Sequence, residues 1–419
     1  MRILLVPIGS RGDVQPQLAL GQGLKKRGHD VVVCTFENYA PWVESCGLRF
    51  ARGGRDAQLA VKENGEKIFG FVGFVKTVRS MAQEHIDGVD AACVAHQPEL
   101  IIGTSLATTL PNFAEHHGAA LMWSVYFPGA WPTKHYPSPL FGLRSHRRWL
   151  NGLSWWITTQ VMGTLAKGDI KPLRTKFKLG PAPAGLMSYM LANAQVLHAV
   201  DPAVVPSPDD WPVRGIDTGF WFLDDPTPLA PELEAFLNAG PPPVYIGFGS
   251  MPADDAAQRT GIIVDAIARS GVRAVLSAGW ANFGNDVALP PSIKLVGATN
   301  HGLLFPRVAA VAHHCGAGTT AATLRAGVPH IPVPHGFDQP PWAELLLQLG
   351  VSAPILSKRF TADQLAAALR TATTDAALRG RAQALGERVR QTDGVGKAIE
   401  AIEAYCAQRP RSQALPQAA

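Results

Sequence analysis

Residues 308–322 constrain this chain more than any other stretch. An apolar run, Val308-Ala309-Ala310-Val311-Ala312, leads into His313-His314-Cys315-Gly316-Ala317-Gly318-Thr319-Thr320, and Ala321-Ala322 continue in helical register. The pattern is a strand, a glycine-rich turn and the start of a helix. A helix start carries backbone N–H groups with no partner inside the helix, and a partial positive charge. Glycines let an anion approach that backbone closely. Thr319 and Thr320 can cap the helix or donate hydroxyl bonds, and a histidine can donate to phosphate. Two readings stay open on these residues alone: an anion site suited to phosphate, or a tight turn around a buried histidine.

Strand and helix patterns alternate on both sides of this segment. Residues 3–8 predict a buried strand, 9–13 a loop, 17–26 a helix stopped at Gly28, and 30–35 a second strand. Strands are expected at 100–103 and 120–124, with a helix over 106–117 between them. Such alternation builds parallel sheets. Residues 126–139, rich in proline and aromatics, read as an irregular loop. The helix that follows has a stripe Leu150, Leu153, Ile157, Val161 and Leu165 with the period of a buried face. Trp149, Trp155 and Trp156 fall off that stripe, and form either a second packed face or a wall for an apolar ligand.

Prolines crowd residues 201–243, and the alternation then restarts. The chain therefore reads as α/β, with a first domain over 1–215, a connection over 216–243, and a second domain over 244–395. A last helix and a frayed tail occupy 396–419, and the helix is expected to pack back on the first domain. Ligands of doubly wound sheets bind beyond the carboxyl ends of the strands. Two such domains facing each other would hold the site between them.

Several polar residues fall at these strand ends. Asp13 lies in the loop after the first strand, where it could act as a general base or cap the helix near Pro16. Asp338 and Gln339 could grip vicinal hydroxyls of a sugar, or Asp338 could cap the next helix. Ser250 could donate to phosphate. Trp280 could stack on a base or simply pack. Phe69, Phe71, Phe74, Trp123, Tyr126, Phe127, Trp131 and Tyr136 gather aromatic surface in the first half, suited to a large apolar ligand or to a core.

Composition narrows the partners. With 419 residues, 47% of them hydrophobic, the chain can fill two cores. A net charge of +5 without a long block of like charge argues against a nucleic-acid partner. The five cysteines, Cys34, Cys46, Cys93, Cys315 and Cys406, contain no Cys-x-x-Cys pair. They suggest neither a disulfide framework nor a zinc site, no metal cluster is expected, and a reducing cytoplasm fits them. The opening apolar run reads as a strand rather than a leader. No segment is apolar enough to span a bilayer. The basic run over 144–148, beside the tryptophan helix, suits peripheral contact with a membrane surface.

Five ordered motifs, spread over nearly the whole chain, carry a resemblance. Residues 9–16 read GSRGDVQP, 248–251 FGSM, 277–280 SAGW, 313–320 HHCGAGTT and 334–343 PHGFDQPPWA. Together they resemble the GT-B-fold glycosyltransferases of the UDP-glycosyltransferase superfamily, above all the sterol 3-β-glucosyltransferase and vancomycin-type antibiotic branch. The resemblance implies two Rossmann-like, doubly wound domains facing each other across a cleft, the first for the acceptor and the second for the donor. It implies inverting transfer of a hexose from a nucleotide sugar, UDP-glucose or a dTDP-sugar, with no further cofactor. The acceptor would be a lipophilic alcohol such as a sterol or triterpenoid, or else a polyketide or peptide antibiotic aglycone.

By the same resemblance Asp13 is the catalytic base. His314, Gly316, Gly318 and Thr319, with Ser250, hold the donor diphosphate, and Asp338 and Gln339 the donor sugar. Three positions depart from relatives. Cys315 replaces a glycine of this branch and matches a cysteine of the plant signature. Ala322 stands where plant relatives carry a ribose-binding glutamate. Gly297 and Ala298 fall near the place of a base-stacking tryptophan, which leaves Trp280 and Ala298 as nucleoside candidates. Phe71, Phe74, Trp123, Phe127 and Trp131 are the acceptor-pocket candidates. A sugar-nucleotide epimerase of the same shape, or a non-catalytic nucleotide-binding protein, is the alternative from another class. Asp13 together with Asp338 and Gln339 favours transfer.

Overall fold

Short runs of Val, Ile and Leu form central strands buried on both faces, whereas the edge strands at 49–52 and 216–217 are not buried. Among the described residues, parallel strands build two sheets. Seven of them form one sheet: β1 (Arg2–Val6), β2 (Asp30–Thr35), β3 (Arg49–Arg52), β4 (Leu100–Thr104), β5 (Ala120–Val125), β6 (Ala194–His198) and β7 (Ile216–Asp217). A second sheet of five holds β8 (Val244–Gly247), β9 (Ala274–Ser277), β10 (Ile293–Val296), β11 (Ala310–His313) and β12 (His330–Pro332). The structure, a computed structural model, describes residues 1–56, 59, 71–127, 129–141, 147–212, 215–249, 255–279, 282–285 and 287–408, without the side chains of 71, 72, 74 and 78.

Around the first sheet lie α1 (Arg11–Lys26), α2 (Ala40–Ser45), α3 (Phe71–His96), α4 (Leu110–His117), α5 (Arg148–Lys176) and α6 (Leu186–Leu191). α7 (Pro231–Asn238) precedes the second sheet, which carries α8 (Ala256–Ser270), α9 (His301–Leu304), α10 (Ala317–Ala326), α11 (Gln339–Gln348), α12 (Ala362–Thr374) and α13 (Ala376–Arg390). The last helix is α14 (Gly394–Gln408).

Both sheets are parallel, in the orders β3-β2-β1-β4-β5-β6-β7 and β10-β9-β8-β11-β12. The order reverses between β1 and β4 and again between β8 and β11. A crevice opens at such a reversal. The segments that follow β1, β8 and β11 there carry Asp13, in the first turn of α1, and Gly249 and His314 in loops.

Three expectations are corrected. The helix expected from near Pro16 starts at Arg11, because Ser10 and Asp13 form a capping box one turn earlier and Pro16 is accommodated inside the helix. α4 starts at Leu110, later than the pattern suggests. α5 does not bury its leucine stripe: Leu153 is 45% exposed, while Asn151, Ser154 and Trp155 are buried. The reason is hydrogen bonding. The loop before α5 has backbone groups to satisfy, and α5 turns its polar side to them. Asn151 Nδ2 donates to Lys134 O, Ser154 Oγ accepts from Ser138 N, and Trp155 Nε1 donates to Tyr136 O.

Alternate residues of β1 feed opposite faces of the first sheet, Ile3 and Leu5 one core and Leu4 and Val6 the other. α14 completes the first of these. Ala398, Ile399 and Ile402 are buried there, and Ile399 lies against Gly23 of α1. Arg27 pairs with Glu403 at 2.7 Å on the rim. The chain thus crosses between the sheets twice, and the crossings touch. Gly219, at φ +96°, lies against Thr392, and Gly394 lies against Phe220 O. Among the described residues no helix is long and apolar enough to cross a membrane.

A side chain at Gly394 has no room, since its Cβ would strike Phe220 O and Gly219. Gly394→Ala is expected to destabilise the protein by about 1–3 kcal/mol in denaturant unfolding, as overpacking does. Gly380→Ala, on an open face of α13, should instead stabilise by about 0.5–1 kcal/mol.

Candidate active site

Both reversals open onto one cavity of about 1530 Å³, lined from the first sheet by the loop after β1 and by α5, and from the second by the starts of α10 and α11.

Asp13 is the third residue of α1. Its Oδ2 accepts from Ser10 N at 2.8 Å and from Ser10 Oγ at 3.2 Å, and Ser10 Oγ accepts from Gly12 N. The capping reading and the base reading are therefore both compatible with its position. Both bonds fall on Oδ2, which leaves Oδ1 to take a proton. Burial pushes the Asp13 carboxyl up to about 6, against the Ser10 bonds that favour its ionised form. Gly9, at φ +135°, lies directly over this carboxylate, where a Cβ would strike it.

Asp338 precedes α11, and its side chain does not cap that helix. It lines the cavity instead. Burial, and then the charge of Asp13, push it up to about 7. Gln339 uses its amide oxygen to close the turn, accepting from His335 N at 2.7 Å and Gly336 N at 3.2 Å. It too reaches the cavity.

His314 is held between glycines. A Cβ at Gly249 would lie 2.8 Å from His314 Cε1, and one at Gly316 would strike Nε2. Burial, followed by the charges of His335 and His301, lowers the imidazole to about 3. It is neutral, so it offers an N–H rather than a cation. Its Nδ1 is buried with no hydrogen-bond partner.

Gly316 is the N-cap of α10 and brings no side-chain cap. The first bond inside the helix is Thr320 N to Gly316 O at 2.9 Å. The N–H groups of Ala317, Gly318 and Thr319 therefore have no partner within the helix, and all three residues line the cavity. The N-terminus of α1 meets this one head to head: a Cβ at Gly12 would lie 3.9 Å from Gly318 N.

The other candidates divide. Phe127, Trp131 and Ala298 line the cavity. Trp123 does not. It is fully buried in the first domain, donates to Met190 O at 2.8 Å and packs edge-on to Trp131. Its alternation along β5 puts it under the pocket wall. Ser250 and Trp280 lie outside the described residues, as do Phe69, the side chains of Phe71 and Phe74, and most of the basic run at 144–148.

Some lining residues were not singled out from sequence. Trp155, Met162, Met187 and Met190 form an apolar wall, for which Trp155 alone gave a signal. Trp149 and Trp156 of the same helix are 64% and 62% exposed. The connection between domains, at Phe222, Asp224 and Asp225, also lines the cavity. Arg11 brings a cation there, its guanidinium 4.1 Å over the Trp42 ring. Outside the lining, His135, Asp209 and Asp210 approach within 4.8 Å of one another. Asp209 bonds His135 at 2.8 Å, and Asp210 accepts from Thr133 and Lys134 N, so the trio ties two loops together.

Known proteins match this arrangement. Residues 3–131 match the glycosyltransferase family 28 N-terminal domain, and residues 264–393 the erythromycin biosynthesis protein CIII-like C-terminal domain. The vancomycin aglycone glucosyltransferase of Amycolatopsis orientalis is 34% identical over 96% of this chain and 97% of its own length. A sterol 3-beta-glucosyltransferase of Cryptococcus neoformans is 33% identical over 96% of this chain, which spans only 27% of that protein. The solved glycosyltransferase VinC, in complex with DTDP, has the same fold, with a TM-score of 0.68 and 18% identity over 98% of this chain and all of its own.

Both cavity carboxyls bind a proton more readily here than at their ordinary value of 3.8. Their burial therefore costs stability most when they are charged, above about pH 7. That cost falls as pH drops through 7 and 6, and vanishes near 4. Asp13→Asn and Asp338→Asn should each raise the melting temperature of the free protein at pH 8, and do so far less at pH 4.5. A lower melting temperature for both at pH 8 would count against buried charge at this site.

Proposed function

Since the chain belongs to the GT-B glycosyltransferases that include the sterol and antibiotic-aglycone enzymes, we propose that it moves a hexose from a nucleoside-diphosphate sugar to a hydroxyl of a lipophilic acceptor, with inversion. One observation carries this reading: Asp13 faces Asp338, His314 and the uncapped start of α10 across a single cavity.

Asp13 Oδ1 takes the proton of the acceptor hydroxyl as its oxygen bonds to the anomeric carbon. The bond from that carbon to the diphosphate breaks, and the electron pair leaves with the phosphate oxygen. The N–H groups of residues 317–319 and the neutral His314 meet the leaving charge with hydrogen bonds. Arg11 brings a positive charge to another part of the same cavity wall. Asp338, with a pKa of about 7, can accept from or donate to a sugar hydroxyl near neutral pH, and Gln339 stands beside it. Gly316 and Gly318 keep this surface free of side chains.

UDP-glucose is the first donor to test, and a dTDP-sugar the second, the diphosphate in the VinC complex being DTDP. The wall of Trp131, Trp155, Met162, Met187 and Met190 favours a large apolar acceptor, and thioethers adapt to irregular shapes. A sterol or triterpenoid alcohol is the first acceptor, and an antibiotic aglycone the alternative. The proposal places the chain in the cytoplasm, with peripheral membrane contact through Trp149 and Trp156 beside Arg147 and Arg148.

Incubation with UDP- and dTDP-sugars and a panel of lipophilic alcohols should give a glycoside by mass spectrometry. Sugar product formed from donor alone would point to an epimerase or hydrolase. Asp13→Asn is expected to lower kcat by about 10²–10⁴-fold. In the wild type, kcat/KM should fall about tenfold per pH unit below pH 6, where Asp13 carries its proton. Turnover unchanged in Asp13→Asn removes the base assignment. Trp149→Ala with Trp156→Ala should reduce co-sedimentation with anionic vesicles at low salt, and a wild type that stays in the supernatant ends that part of the proposal.

A further inference from the structure

The turn that presents His314 is made in an unfavourable way. Cys315, between His314 and the N-cap Gly316, has φ +67°. A side chain with a Cβ adopts that left-handed conformation only when its surroundings impose it. Here the surroundings act at both ends. The Cys315 side chain is fully buried in an apolar cluster with Phe220, Leu324 and Trp342. Its backbone N–H donates to His313 Nδ1 at 3.1 Å.

That bond determines the protonation of what lies behind it. Because Nδ1 of His313 accepts, its proton sits on Nε2, which is 2.9 Å from His330 Nδ1 and donates to it. The proton of His330 is therefore on Nε2, a buried atom with no hydrogen-bond partner. Both rings are fully buried and neither lines the cavity. Burial holds His313 well below the usual histidine range and His330 down to about 3, so both stay neutral. Two neutral imidazoles, each in one tautomer, run from β12 to the turn.

We propose that His313, backed by His330, is a positioning residue for the donor diphosphate: it holds the Cys315 amide in the left-handed turn and so aims His314 and the N–H groups of residues 317–319. The role rests on the diphosphate reading above. It gives a role to a histidine that does not line the cavity and directly precedes one that does.

The test uses the full chain, calorimetric titration with UDP, dTDP and uridine, and steady-state kinetics. In His313→Asn the amide oxygen can replace Nδ1 as acceptor for Cys315 N–H, and nucleotide affinity should stay within about threefold. His313→Gln places its polar atoms beyond that N–H. It should weaken binding of the preferred nucleotide, and raise the donor KM, by about 10- to 100-fold, the range expected for a small misplacement of binding groups. The acceptor KM should not move. Adding Cys315→Gly to His313→Gln removes the Cβ that disfavours the turn and should restore much of the affinity. His330→Gln serves as a second probe should His313→Gln not fold, and should weaken nucleotide binding in the same direction while leaving uridine unchanged. Wild-type nucleotide affinity in both glutamine variants, equal changes in donor and acceptor KM, or failure of Cys315→Gly to rescue would overturn the role. Equal wild-type affinity for uridine and for both nucleotides would overturn the diphosphate reading itself, and this role with it.

Discussion

Two helix N-termini meet inside this protein, and most of the site follows from that meeting. Gly12 of α1 and Gly318 of α10, one from each domain, lie so close that a Cβ added to either would touch the other's backbone. Each helix start carries roughly half a positive charge on exposed N–H groups. Like ends placed together repel unless negative charge lies between or beside them. α1 carries its own answer in the Asp13 capping box. α10 carries none, its cap being Gly316. The cleft is thus assembled with an unmet demand for an anion on its second wall, and glycine at both contact points lets that anion approach the backbone.

The same low-polarity setting that strengthens those hydrogen bonds penalises every isolated charge. Its mark is visible on the titrating groups. Asp13 and Asp338 are shifted upwards, to about 6 and about 7, while His314 is shifted down to about 3. A carboxyl held near 6 is mostly ionised at neutral pH, yet is a stronger base than one at its ordinary value. A histidine held near 3 gives a directional N–H without adding charge when the cleft is empty. A nearby diphosphate would favour its protonated form, so part of the charge compensation can arrive with the ligand.

Legibility in the sequence followed the range of the interactions involved. The central strands and the glycine-rich turn are local patterns and appear where the patterns put them, whereas the starts of α1 and α4 were set by capping and turn contacts that apolar periodicity does not report. Asp13 was legible as a residue with two possible roles: its capping bonds are present, and because both fall on Oδ2 they leave the proposed base role open at Oδ1. The buried face of α5 was misread because periodicity counts apolar residues. Asn151 and Ser154 are buried for a different reason, the hydrogen bonds that the preceding loop requires. Trp123 was misplaced because aromatic content cannot tell a pocket wall from the core one residue behind it. His330 had no local signal at all. Its meaning depends on β12 lying beside β11, a contact between strands separated by a helix.

α1 joins the chemistry to the arrangement of the domains. Its first turn holds Asp13 and touches α10. Its last half packs on α14, with Gly23 against Val395 and Ile399. α14 begins at Gly394, whose backbone rests on Gly219 where the chain makes its other crossing. A helix of 16 residues is about 24 Å long and resists bending. Asp13 and Asp338 belong to different sheets, so their separation depends on how the two domains pack against each other and not on either domain alone. The last helix thus returns to the first domain to pack on α1, the same helix whose first turn carries Asp13 into the cavity.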